Sequence, residues 1–145
     1  MKNQFMSLAL EEAKQADRNG DVPVGAVIVQ SNQVVARAHN EREYNKTSLG
    51  HAEISAISMA CTALDKWRLD DCDLYVTLEP CIMCTGAIIE SRIRRIYFGA
   101  YDTKYGFVAS NSALKSRINF EYYCGIMEDE CREVLDKFFM RLRNT

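Results

Sequence analysis

Two short groups of residues carry the chemistry of this sequence. His51-Ala52-Glu53 follows an irregular stretch and opens a helical pattern. Pro80-Cys81-Ile82-Met83-Cys84 follows an apolar strand pattern and opens another. Cys81 and Cys84 lie three positions apart, so both sulfurs face one side of a helical turn. A helix N-terminus favours thiolate over thiol, and Pro80 suits a helix start, where a missing N–H costs little. His51 adds a nitrogen from a second helix start. Three protein donors leave a fourth position to water, as a catalytic zinc requires; a structural zinc uses four. The sequence shows no obvious fourth donor. Glu53 is poorly placed as a ligand, but it can reach a bound water, take its proton and pass it to a leaving group. Two thiolates and an imidazole at a hydrolytic site select zinc. The plainer reading makes Cys81 and Cys84 small core residues; the order and spacing of the two groups speak against it.

Those residues need a scaffold, and the hydrophobic pattern supplies one. Phe5, Leu8, Ala9, Glu12, Ala13 and Ala16 predict an amphipathic helix over 2–18, closed by Asn19-Gly20. Asp21-Val22-Pro23 is a breaker. Val24–Val29 and Gln33–Ala38 read as a hairpin turning at Ser31-Asn32. Residues 39–50 read as loop and Ala52–Leu64 as helix. Leu74–Leu78 reads as strand, Cys81–Ile89 as helix and Arg95–Phe98 as strand. A long connection follows over 99–117, with a short helix expected near 110–114. Ile118–Tyr123 reads as strand and Glu128–Arg143 as helix, with Cys131, Val134, Leu135, Phe138 and Leu142 inward. Helical crossovers make the last three strands parallel. The expected fold is a three-layer α/β/α sandwich: a mixed five-stranded sheet with helices on both faces, in one domain spanning 1–145.

Composition excludes several function classes. The chain has 145 residues, 48% hydrophobic and 26% charged, as an ordinary globular domain does. Net charge is −2, so a blanket electrostatic grip on nucleic acid is excluded. No apolar run approaches the roughly 20 residues a membrane crossing needs. Residues 1–20 lack the unbroken apolar middle and cleavage site of a secretory signal, which places the protein in the cytoplasm. There, six cysteines point to metal or thiol chemistry before disulfides.

His-Ala-Glu followed by Pro-Cys-x-x-Cys resembles the signature of the zinc-dependent cytidine and nucleobase deaminases. The flanks are similar to the bacterial tRNA-specific adenosine deaminases. They include Val22-Pro23-Val24-Gly25-Ala26-Val27, Leu74–Glu79, Ser91-Arg92-Ile93, Phe98-Gly99-Ala100-Tyr101-Asp102-Thr103-Lys104-Tyr105-Gly106, and Phe138-Phe139 near a basic end. The resemblance implies a cytidine deaminase-like fold, one zinc per subunit on His51, Cys81 and Cys84, and Glu53 as proton shuttle. It implies that zinc-bound hydroxide converts adenosine to inosine at the wobble position of a tRNA anticodon. It also implies substrate contacts from Asn40, Ala52, Pro80, Asp102 and Lys104, and a homodimer. Single-stranded loops are read by pockets and stacking, which suits the acidic net charge. Three departures stand out: Thr47-Ser48-Leu49-Gly50 where the family has Asp-Pro-Thr-Ala, Thr85-Gly86 where it has Ala-Gly, and Ile118-Asn119-Phe120 where a Leu-Asn-His run is common.

Other residues have ordinary readings beside functional ones. Asn40 could bond its own backbone, and Asp102 and Lys104 could form a solvated turn. His39 reads as structural or pocket-lining. Cys61 and Cys131 read as core thiols and Trp67 as packed. Ile88, Ile89, Ile93 and Ile96 could be core or a dimer face. Arg92, Arg94 and Arg95 read as solvated or packing, and Arg132, Lys137, Arg141 and Arg143 as a charged face. Two rival functions stay open: a deaminase of a free base or nucleoside of the guanine or cytidine type, and a non-catalytic zinc-stabilised binding module.

Overall fold

The structure, a computed structural model, describes residues 3–144. Its first helix, α1 (Gln4–Arg18), starts where the Asn3 side chain accepts the N–H groups of Phe5 and Met6 at 3.0 and 2.9 Å. The expected start at residue 2 lies outside the described residues. A stripe of Phe5, Met6, Ala9, Leu10, Ala13 and Ala16 is buried. The helix ends at Asn19, and Gly20 takes a φ of +83° that few other residues adopt.

The hairpin forms as expected. Strands β1 (Gly25–Gln30) and β2 (Gln33–His39) pair antiparallel around Ser31 and Asn32, both at positive φ, with a bulge where Ile28 gives way to Val29. Helix α2 (Ala52–Leu64), strand β3 (Cys72–Leu78), helix α3 (Ile82–Ser91), strand β4 (Arg95–Ala100), strand β5 (Glu121–Tyr123) and helix α4 (Glu128–Arg143) follow. The sheet runs β2-β1-β3-β4-β5; β1 is antiparallel to β3, while β3, β4 and β5 are parallel. α1 and α4 cover one face and α2 and α3 the other. The sheet is therefore the middle of the expected three layers. α1 sits so close to β1 that a Cβ on Gly25 would lie 1.9 Å from the Ala9 carbonyl oxygen.

The structure corrects four expectations. The short helix is a single 3-10 turn at Lys115–Arg117, not 110–114, because residues 108–110 are drawn to a buried carboxylate, Glu79. β5 begins at Glu121, since Arg95, its first partner, is where β4 begins. In α4 only Cys131 and Leu135 are buried; Phe138 is half-buried and Leu142 is 58% exposed. The second half of that helix runs over α1, where Arg141 pairs with Asp17. Trp67 is 60% exposed rather than packed, with the Arg68 guanidinium over its ring. Ile88, Ile93 and Ile96 are core residues and supply no dimer face. Among the described residues no helix is long and apolar enough to cross a membrane.

Candidate active site

The first donors stand at two helix starts. His51 is the N-cap of α2 and Cys81 the N-cap of α3, and neither side chain caps its own helix. Both are free to turn toward each other. His51 Nδ1 lies 3.6 Å from Cys81 Sγ and 3.5 Å from Cys84 Sγ. Zinc held tetrahedrally by one nitrogen and one sulfur separates them by about 3.5 Å. Among the described residues, these three bring one ligand atom each within 4.8 Å of one another. The donor types and spacing fit zinc. Cys81 is drawn toward thiolate, its pKa falling to about 4, because Cys84 donates a hydrogen bond to it and His51 stands alongside. The His51 imidazole is pushed up, chiefly by its hydrogen bond to Cys81, and the Cys84 thiol is pushed up as donor to Cys81 and by burial.

Glu53 sits in the first turn of α2 and is 4% exposed. Burial raises its carboxyl to about 7, with the Cys81 charge adding to the effect. A group of that pKa both accepts and releases a proton near neutrality.

A cavity of about 710 Å³ opens on this group, with His51, Glu53 and Cys81 in its wall. Asn40, Asp102 and Lys104 also line it. Asn40 Oδ1 accepts from the Ala52 N–H at 2.9 Å, so the loop is tied to the start of α2. Ala52 is fully buried, and Pro80 is buried with its carbonyl taking the Phe107 N–H at 3.0 Å; neither is a lining residue. Asp102 Oδ1 accepts from the N–H groups of Lys104 and Tyr105, at 3.2 and 2.9 Å. The Lys104 amine lies 5.2 Å from the centre of the exposed Tyr105 ring. His39 is apart from the donors: it meets Glu12 at 2.7 Å and Glu41 at 3.4 Å.

Residues that the motifs did not reveal also build the site. Asp21, 2% exposed, accepts the N–H groups of Glu43 and Tyr44 at 2.8 and 3.1 Å and so folds the 40–50 loop. In that loop a Cβ on Gly50 would meet Arg42 backbone at 2.8 Å, so this conformation excludes any larger residue there. Glu79, also 2% exposed, accepts from Asp102, Val108, Ala109 and Ser110 N–H and from the Ser110 hydroxyl. Burial alone would raise this carboxyl; the donors outweigh it and hold it below the usual range. Arg132, Leu135 and Phe139 bring α4 to the cavity wall. A charged residue ending an apolar strand just before Pro-Cys was the one sequence signal for Glu79.

Three donors with one side open, next to an acid–base group that a structural zinc would not need, are the arrangement of the zinc-dependent deaminases. The chain belongs to that family, its residues 1–100 matching the cytidine and deoxycytidylate deaminase zinc-binding region. It is thus an enzyme of a zinc-binding family rather than a zinc-stabilised binding module. The similarity narrows further. The tRNA-specific adenosine deaminase of Bacillus subtilis is 46% identical over 143 residues, covering 96% of this chain and 89% of the relative. That of Aquifex aeolicus is 44% identical, covering 99% and 97%. A solved structure from a study of A-to-I editing by tRNA:A34 deaminases at the wobble position superposes with a TM-score of 0.89. It is 45% identical, covering 92% of this chain and all of that one.

Proposed function

We propose that this protein deaminates adenosine to inosine at the wobble position of a tRNA anticodon. The observation that carries the chemistry is the buried Glu53 carboxyl beside three donors at the wall of one cavity. What supports the substrate is similarity, at 44–46% identity over nearly the whole chain, to relatives named tRNA-specific adenosine deaminase and to the structure from the study of wobble-position A-to-I editing.

In this reading His51, Cys81 and Cys84 hold the zinc. Zinc, when bound, acidifies a water and orients it for attack on the ring carbon. Glu53 would take one proton of the attacking water and hand it to the ring nitrogen, then take the second from the added hydroxyl and pass it to the departing amine; ammonia leaves and the oxygen stays on the ring as a carbonyl. Its burial keeps the carboxyl close to neutral pKa for both transfers. Asn40 spends its oxygen on Ala52, leaving its amide N–H groups for the purine. Asp102 and Lys104 meet the anticodon loop at the rim. The target base leaves its stack to enter the cavity, which costs least in a single-stranded loop.

The same reading takes residues 1–145 as one deaminase domain acting as a homodimer. Met59 of α2 and Ile82 of α3 are exposed apolar side chains available to such a contact. It places the enzyme in the cytoplasm, where the six cysteines, none of them in a disulfide here, stay unpaired.

The test is a zinc-loaded protein given an anticodon stem-loop with adenosine at the wobble position, and free adenosine, cytidine and guanine in parallel. Inosine in the stem-loop alone supports the reading. Turnover of a free base or nucleoside alone overturns it.

A further inference from the structure

We propose that Glu79 is a positioning residue for the substrate, holding the 102–110 loop so that Lys104 and Tyr105 stand at the cavity mouth. The proposal rests on the anticodon-loop reading above and names a part of the chain that presents the rim to RNA.

A buried carboxylate is costly unless its oxygens are satisfied. Glu79 lies at the end of β3, two residues before Cys81, yet its donors come from elsewhere. Oε1 accepts the Asp102 N–H at 3.1 Å and the Ser110 hydroxyl at 2.5 Å. Oε2 accepts the N–H groups of Val108, Ala109 and Ser110 at 3.2, 2.8 and 2.8 Å. The segment they come from has no regular helix or strand to use those N–H groups. The loop also closes down on the carboxyl, since a Cβ on Gly106 would lie 2.3 Å from Glu79 Cδ.

The anchors sit on both sides of the tip. Asp102 precedes it and 108–110 follow it. Asp102 in turn accepts from the N–H groups of Lys104 and Tyr105. The orientation of the tip therefore passes from Glu79 through Asp102 to an aromatic ring, 59% exposed, with an amine 5.2 Å from its centre. A flat exposed ring beside a cation suits an unpaired base and its phosphate next to the target nucleotide. Glu79 touches neither the reacting carbon nor a donor atom of the metal in this account. Its loss acts on substrate capture.

The test is Glu79→Gln, alone and with Tyr105→Ala, assayed on the wobble-adenosine stem-loop. The amide keeps the size and one acceptor but turns an N–H toward Asp102 or Ser110. Zinc stays at one equivalent and exchange of the 102–110 amides quickens. KM rises about tenfold while kcat falls less than about threefold, as loss of a charge-assisted hydrogen bond away from the chemistry predicts. Tyr105→Ala raises KM in the parent but adds less than about twofold to Glu79→Gln, because the two act through one loop. Ser110→Ala, which removes only the hydroxyl donor, gives the same pattern at smaller size and serves if Glu79→Gln does not fold. Faster exchange with unchanged KM overturns the proposal, as does loss of zinc together with kcat, which would make Glu79 a support of α3. A parent protein that converts no stem-loop, with exchange in Glu79→Gln still faster, overturns the anticodon reading instead and leaves the clamp without this substrate.

Discussion

The side-chain oxygen of Asn40 accepts the backbone N–H of Ala52 at 2.9 Å. One asparagine thereby joins the end of the β2 loop to the helix that carries His51 and Glu53. Its oxygen serves the fold while the residue also lines the cavity, so two substitutions separate the roles. Asn40→Asp keeps the acceptor, holds the melting temperature near the parent's and loses activity about a hundredfold. Asn40→Ala loses activity and also destabilises by about 1–3 kcal/mol, the cost of an unpaired buried N–H. Thermal unfolding and stem-loop turnover on the same samples check both.

Glu53→Gln isolates the proton carrier. The amide matches the carboxyl in size but neither takes up nor releases a proton near neutral pH, and it leaves His51, Cys81 and Cys84 in place. Zinc content stays at one equivalent while kcat falls roughly 10²–10⁴-fold. Metal analysis beside single-turnover kinetics reads both quantities.

Metal removal acts on fold and activity together, because the donors come from two helices that the ion would tie. Chelation abolishes turnover and lowers stability, by about 2.7 kcal/mol where free zinc had stood at a hundred times its dissociation constant. Zinc added back restores the parent protein. It does not restore Cys84→Ser at the same concentration. Urea unfolding with and without zinc measures the difference.

Two glycines predict opposite signs. At Gly25 an added Cβ meets backbone, 1.9 Å from the Ala9 oxygen and 2.7 Å from the Ala13 nitrogen. Neither can yield without moving α1, so Gly25→Ala destabilises by about 3 kcal/mol or more. At Gly86, inside α3, nothing lies within 4 Å. Gly86→Ala there gains about 1 kcal/mol of helix propensity. Chemical denaturation of the two variants decides the pair.

Much of this molecule is legible in its residue pattern. The stripe from Phe5 to Ala16, the β-branched run around Val27 and the two Cys positions at a helix start each follow a local period, and local periods survive into the fold. Glu79 and Asp21 are different. Their partners are backbone N–H groups of distant loops, which every residue carries, so side-chain type says nothing of them. The misplaced short helix has the same origin: Val108, Ala109 and Ser110 give their N–H groups to Glu79 and not to a helix. Trp67 and Leu142 look apolar enough to bury, yet each is more than half exposed, and it is the Arg68 guanidinium that sits over the Trp67 ring.

The most direct test is to incubate the zinc-loaded protein with a full tRNA that carries adenosine at the wobble position and at other anticodon-loop positions. Inosine is then mapped by mass spectrometry of the digested RNA. The account predicts inosine at the wobble position alone, lost with Glu53→Gln. Inosine at other loop adenosines, or persistence of the activity in Glu53→Gln, would contradict it.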